Sequence, residues 1–216
     1  MAEAANELGV SDRRIRQMLA DGRIPGERTG RSWVLEEQAV REFAKSRSGA
    51  GRPWKPSSAW DVLALANGNR VPGSPIDRHR AQQRLELGLG SILGQLANRA
   101  ERHWFYAHPS VLEAILEHPG FVSSGISALA PSHIDLVVAD QIEGYVPESE
   151  LAGLIDQFAL DSESERPNVL LRVANDNCWP FAPLERHAPT PVVAIDLLDS
   201  ADERSRRAGK DLLNRL

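Results

Sequence analysis

The sequence predicts an α+β protein in two parts, a small N-terminal winged helix-turn-helix followed by a larger mixed α/β body. Three observations carry this expectation. Short apolar stripes at helical spacing, punctuated by glycine, occupy the first 48 residues. A stretch rich in glycine and proline, Gly49-Ala50-Gly51-Arg52-Pro53, then interrupts the helical pattern. Beyond it, helical and strand-like runs intermix without regular strand–helix–strand alternation. The expected boundaries are 1–48 for the first domain, 49–56 for a linker and 57–216 for the body.

Within the first domain, Ala4, Ala5 and Leu8 fall on one face of a short helix that Gly9 ends. Ser11 is suited to cap the next helix, with Asp12 in its first turn. Ile15, Met18 and Leu19 recur at i, i+3 and i+4, which makes them the buried stripe and leaves Arg13, Arg14, Arg16 and Gln17 on the other faces. Asp21-Gly22 stops that helix. Alternation around Thr29-Gly30 then reads as a tight β-hairpin whose tip carries Arg28 and Arg31. A third helix follows from about Glu36 to Ser46, with Ala39, Val40 and Phe43 on its apolar face.

In the body, helical patterns are expected at Ser57–Ala66, Ile76–Ala100, Pro109–Glu117, Pro147–Ala159 and Ala201–Leu216. Strands are expected at His103–Ala107, Ile134–Ala139, Ile142–Val146, Val169–Val173 and Val192–Leu197.

Composition narrows the function classes. At 42% hydrophobic and 25% charged residues the chain is that of a folded globular protein, not a disordered one. No apolar run approaches the ~20 residues that span a bilayer, and no signal peptide is visible, so the cytoplasm is the expected compartment. Cys178 is the only cysteine, which excludes an intramolecular disulfide and a zinc ribbon. The net charge of -5 is unevenly spread. Residues 1–56 hold 11 Lys+Arg against 8 Asp+Glu, a net of +3, and the remainder holds 14 against 22, a net of -8. A basic head on an acidic body points to two kinds of partner.

The segment EAANELGVSDRRIRQMLADGRIPGERTGRSWVL, with helix, turn glycine, helix and basic hairpin in order, resembles the DNA-binding domain of the MerR and excisionase-like families. Such domains carry a few residues before the first helix, whereas this chain begins almost inside it, leaving a start further upstream or a frayed first helix as the alternatives. The helix Asp12–Ala20, 9 residues or roughly 13 Å long, fits a major groove about 12 Å wide. Arg13, Arg14 and Gln17 would face base edges, since arginine can bridge guanine O6 and N7 and glutamine can pair with adenine. Arg28 and Arg31 on the wing would meet phosphates or the adjacent minor groove. The residues expected at double-stranded operator DNA are thus Ser11, Arg13, Arg14, Arg16, Gln17, Arg28, Thr29 and Arg31. One such module contacts few bases, so a homodimer on paired half-sites is expected.

Catalytic signatures are weak. Asp135, Asp140 and Glu143 lie close in sequence, and Asp196 and Asp199 follow an apolar run; carboxylates so placed can hold Mg²⁺ in nucleases. No lysine or histidine stands at a matching spacing, and strand-end acids commonly form turns. His103 and His108 flank Trp104-Phe105-Tyr106, but two histidines without a third ligand make a poor metal site. The aromatic run reads as a core strand, and Cys178 as a packed side chain. There is no GxxxxGK[ST], GxGxxG or GxSxG motif. No enzyme, cofactor or metal is expected.

The phrases GRPWKPSSAWDVLALANG, NRAERHWFYAHPSVL, IEGYVPESELAGLI, NVLLRV and PVVAIDLLDSADERSRRAG together look like actinobacterial antitoxin-type regulators, which accompany nucleotidyltransferase toxins of the abortive-infection (AbiEi/AbiEii) class. The resemblance implies a body that restrains a toxin and a head that represses the operon. The alternative is a regulator whose body senses a small molecule or only dimerises.

Overall fold

The computed structural model describes Ala4, Ile15 and residues 27–29, 32–35, 52–129 and 141–216. The chain divides into two compact units, Met1–Ala50 and Gly51–Leu216.

In the first unit Ala4 and Ile15, both expected on apolar helix faces, are helical and buried. Strands β1 (Glu27–Thr29) and β2 (Ser32–Val34) pair antiparallel, with Glu27 opposite Val34 and Thr29 opposite Ser32. Only Gly30 and Arg31 separate them, the short glycine-bearing connection that strand twist favours. Arg28 therefore sits within β1 opposite Trp33 and not at the hairpin tip, because the register closes one residue beyond it.

The second unit is a four-stranded mixed sheet with helices on both faces. Its strands are β3 (Glu101–Phe105), β4 (Val122–Ser123), β5 (Ile142–Pro147) and β6 (Val169–Ala174), in the order β3-β6-β5-β4. The central strands β5 and β6 run parallel, while β3 and β4 flank them antiparallel. Every residue of β6 is buried, since both of its faces are covered; a continuous apolar run is what such a strand requires.

One face carries Phe105, Ile142, Val146, Val169, Leu171 and Val173, covered by α3 (Leu112–Leu116) and α4 (Leu151–Phe158). The other carries Val122, Tyr145 and Ala174, covered by α1 (Pro56–Ala66) and α5 (Thr190–Leu198), with α2 (Pro75–Leu85) beside α1 and α6 (Glu203–Leu213) beside α5. Trp60 of α1 is seated by its indole N–H, which donates to the Arg99 carbonyl at 2.9 Å, and by edge contacts to Tyr145 and Phe181.

Four expectations are corrected. Val192–Leu197 lies inside helix α5 and is not a strand. Its apolar run has no period because nearly the whole helix is buried, and a buried helix and a buried strand then read alike. The helix expected over Ile76–Ala100 stops at Leu85. Gly88 adopts φ 81°, and two 3₁₀ turns, Leu89–Ile92 and Ala97–Arg99, follow. Strand β3 runs from Glu101 to Phe105 instead of His103 to Ala107. Beyond it the Asn168 amide takes the backbone of Ala107, N–H and carbonyl both at 2.8 Å, where a neighbouring strand would otherwise bond. The linker expected at 49–56 is structured from Trp54 onward: its N–H donates to Gln95 O at 2.9 Å and Arg84 stacks 4.5 Å over its ring. The strand expected at Ile134–Ala139 lies outside the described residues.

The remaining helices match their expected positions with shorter cores, and α2 begins in a capping box between Ser74 and Asp77. Among the described residues no helix is long and apolar enough to cross a membrane.

Candidate nucleic-acid interface and the charged cluster of the body

Of the residues expected at DNA, Arg28 and Thr29 belong to β1. Ser11, Arg13, Arg14, Arg16, Gln17 and Arg31 lie outside the described residues, so the structure assigns the hairpin backbone and leaves the helix to the sequence.

The body brings together residues that the sequence kept apart. Arg99 and Arg172, both almost fully buried, meet Glu143, Asp196 and Asp199 between the sheet and helix α5. Arg99 Nη2 lies 2.6 Å from Asp196 Oδ1, its Nε donates to Tyr145 Oη at 3.0 Å, and its Nη1 donates to Leu96 O at 3.1 Å. Tyr145 in turn donates to Asp196 Oδ1 at 2.8 Å, and the Ser124 hydroxyl donates to Asp196 Oδ2. Arg172 Nε donates to Glu143 Oε1 at 2.9 Å and lies 3.4 Å from Asp196 Oδ1. Asp199, at the end of α5, is shared by Arg99, Arg172 and the half-exposed Arg102 at 3.4, 3.4 and 3.3 Å. Three cations thus face three carboxylates.

The electrostatics follow from this pairing. Burial pushes the Asp196 carboxyl up, but Arg172 and Arg99 outweigh it and hold the group below the ordinary aspartate range. Glu143 goes the other way: burial and the neighbouring Asp196 outweigh Arg172, and its carboxyl is raised. Burial also raises the Tyr145 hydroxyl far above its ordinary value, so it stays a donor. A cavity of about 640 Å³ opens beside the cluster, with Trp104, Leu170 and Ile126 in its wall. Of the charged groups that reach it, Arg172, Glu143, Asp199 and Arg102 are bound to one another, and Asp202 accepts from Ser205.

The acidic residues considered for metal chemistry are therefore engaged otherwise. Asp196 and Asp199 belong to helix α5 and its end, Glu143 is paired with Arg172, and Asp135 and Asp140 lie outside the described residues. Among the described residues no group of three or more His, Cys, Asp or Glu side chains is arranged to hold a metal ion. His103 stacks on Phe105 and faces Glu101, while His108 caps the turn at Ser110. Trp104 is 46% exposed, unlike the buried Phe105 beside it, so the aromatic run is only partly core. Cys178 packs against the core, and burial pushes its thiol up, away from the nucleophilic thiolate.

Sequence reasoning missed Arg99, Arg172, Tyr145 and Ser124. For Arg172 a signal was present: an arginine in the middle of Val-Leu-Leu-Arg-Val-Ala must carry a buried charge that needs a partner. For Arg99 there is none, because its burial depends on the 3₁₀ turn Ala97–Arg99, where the spacing predicts helix.

No curated protein and no solved structure matches the chain. Residues 1–48 match the family model of a helix-turn-helix domain, and the N-terminal unit is a domain of that kind.

Proposed function

We propose that the protein is a sequence-specific DNA-binding transcriptional regulator and not an enzyme. The match of residues 1–48 to a helix-turn-helix domain carries this reading. It is supported by the six arginines between Val10 and Leu35 and by the net +3 of residues 1–56 in an otherwise acidic chain. Arg13, Arg14 and Gln17 read bases, Arg28 and Arg31 hold the backbone, and a homodimer supplies the second half-site. A non-catalytic body is supported by the engagement of Glu143, Asp196 and Asp199 in ion pairs.

At finer grain, the body serves a protein partner: the protein is the antitoxin and autorepressor of an operon whose toxin is a nucleotidyltransferase. The resemblance of the quoted phrases to antitoxin-type regulators and the net -8 of residues 57–216, suited to a basic partner, support it. Two experiments separate the levels. The full chain is incubated with a random duplex library and, separately, purified from its native host with its adjacent reading frame intact. Enrichment of one duplex motif supports the regulator, and co-purification of a nucleotidyltransferase supports the antitoxin role. A library recovered without enrichment contradicts the first, and the chain recovered without such a partner contradicts the second.

A further inference from the structure

The two parallel strands part company at their carboxyl ends. After β5 the chain turns through Glu148–Glu150 into α4, which packs on one face of the sheet. After β6 it turns through Asp176–Cys178 and continues to α5, which packs on the opposite face. Adjacent parallel strands whose connections leave to opposite faces cannot close the space beyond their ends, and in open α/β sheets this crevice is where ligands bind. A cavity of about 1050 Å³ occupies that place, walled by Glu148 and Leu151 just beyond β5, Val173 near the end of β6, the start of β3 and the start of α1. Its size is at the upper end for small-molecule sites.

The chemistry of the wall selects the ligand. Leu151, Val173, Ala97 and Cys178 give it an apolar part. Two of its cations are committed, Arg102 to Asp199 and Arg99 to Asp196, while Glu148 accepts from the Asn175 amide at 2.8 Å and the exposed Glu101 lies 3.6 Å from His103. Lys55 is the exception, a cation in no ion pair among the described residues. The side chains of Asn98 and Asn177 also line the cavity and have no protein partner there among the described residues. A lone ammonium with two amides, over an apolar wall, matches a small molecule with one anionic group and a compact, partly apolar body.

We infer that this cavity binds a small organic anion, a carboxylate or a phosphate monoester, through Lys55, Asn98 and Asn177. The cavity beside the ion-pair cluster is a weaker match, since the cations that line it, Arg102 and Arg172, are both bound to carboxylates. The inference does not depend on DNA binding, because its readout is affinity for the anion alone.

The test is isothermal titration of the full chain with salicylate, ribose 5-phosphate and inorganic phosphate. Salicylate stands for an aromatic carboxylate, ribose 5-phosphate for a phosphate monoester, and inorganic phosphate for charge without a body. We expect saturable binding of one of the two organic probes, weakened about tenfold or more by Lys55→Ala, a loss of about 1.4 kcal/mol. Asn177→Ala should weaken it as well, and Lys210→Ala on α6, outside the cavity, should leave it unchanged. The proposal is overturned if neither organic probe binds, if Lys55→Ala and Asn177→Ala bind as well as the parent, or if inorganic phosphate binds as tightly as both.

Discussion

Arg172 stands in the middle of a strand whose every residue is buried, and Asp196 stands in the middle of a helix that is buried almost throughout. Each would be untenable alone, because an unpaired buried charge costs several kcal/mol. Together with Arg99, Glu143 and Asp199 they fix the register of α5 on the sheet. Removing one partner leaves the others uncompensated, so Asp196→Asn is expected to destabilise the body by about 3–5 kcal/mol at neutral pH. The pH dependence has opposite signs at the two buried carboxyls. Asp196 is held below its unfolded range, so its contribution is present at neutral pH and is lost as pH falls through its folded value. Glu143 is raised, so its contribution is fullest below its unfolded range and falls away as pH rises through its folded value. Denaturant unfolding at several pH values checks this. The deficit of Asp196→Asn should narrow on acidification, and that of Glu143→Gln should narrow as pH rises. Parallel pH profiles for the two variants would refute the assignment.

Helices α5 and α6 show what an element needs beyond its pattern. Gly209 on α6 faces α5 so closely that an added Cβ would lie 2.8 Å from the Ala194 carbonyl oxygen and 2.9 Å from the Leu198 nitrogen, both backbone atoms. Gly153 on α4 has nothing within 4 Å of the same position. Gly209→Ala should therefore cost about 1–3 kcal/mol through forced separation of the helices. Gly153→Ala should instead add about 0.5–1 kcal/mol of stability, because alanine favours the helix. Thermal unfolding of the two variants decides it: melting temperatures moving together would contradict this reading of the packing. At this scale the sequence was legible where one face of an element meets water. The amphipathic α4 and α6 could be read from spacing, as could β6 and β5, buried throughout but for Pro147 at the end of β5, which their β-branched residues mark. The buried α5 could not, since Pro-Val-Val-Ala-Ile carries no period, and the two-residue β4 is too short to leave one. The charged cluster was illegible for another reason. Its members come from β3, β5, β6, α5 with its end, and a 3₁₀ turn, up to about a hundred positions apart, and only the topology unites them.

Across the whole molecule, charge and organisation agree. The unit that matches a helix-turn-helix domain holds 9 Lys+Arg against 8 Asp+Glu, and the sheet-and-helix unit carries the acidic surplus, 16 against 22. The head could be read from sequence because its helix spacing, glycine turn and arginine-bearing hairpin lie consecutively within some 25 residues. The crevice of the body could not, because it arises from the directions in which two chain connections leave a sheet. The central claim, that this head reads duplex DNA, is tested most directly by measuring the affinity of the full chain, Arg14→Ala and Arg31→Ala for its selected duplex and for a scrambled one over a range of salt. Arg14→Ala should narrow the gap between the two duplexes by about 1–3 kcal/mol, while Arg31→Ala should weaken both alike and lower the salt slope by about one. Parent-like binding by both variants would contradict it.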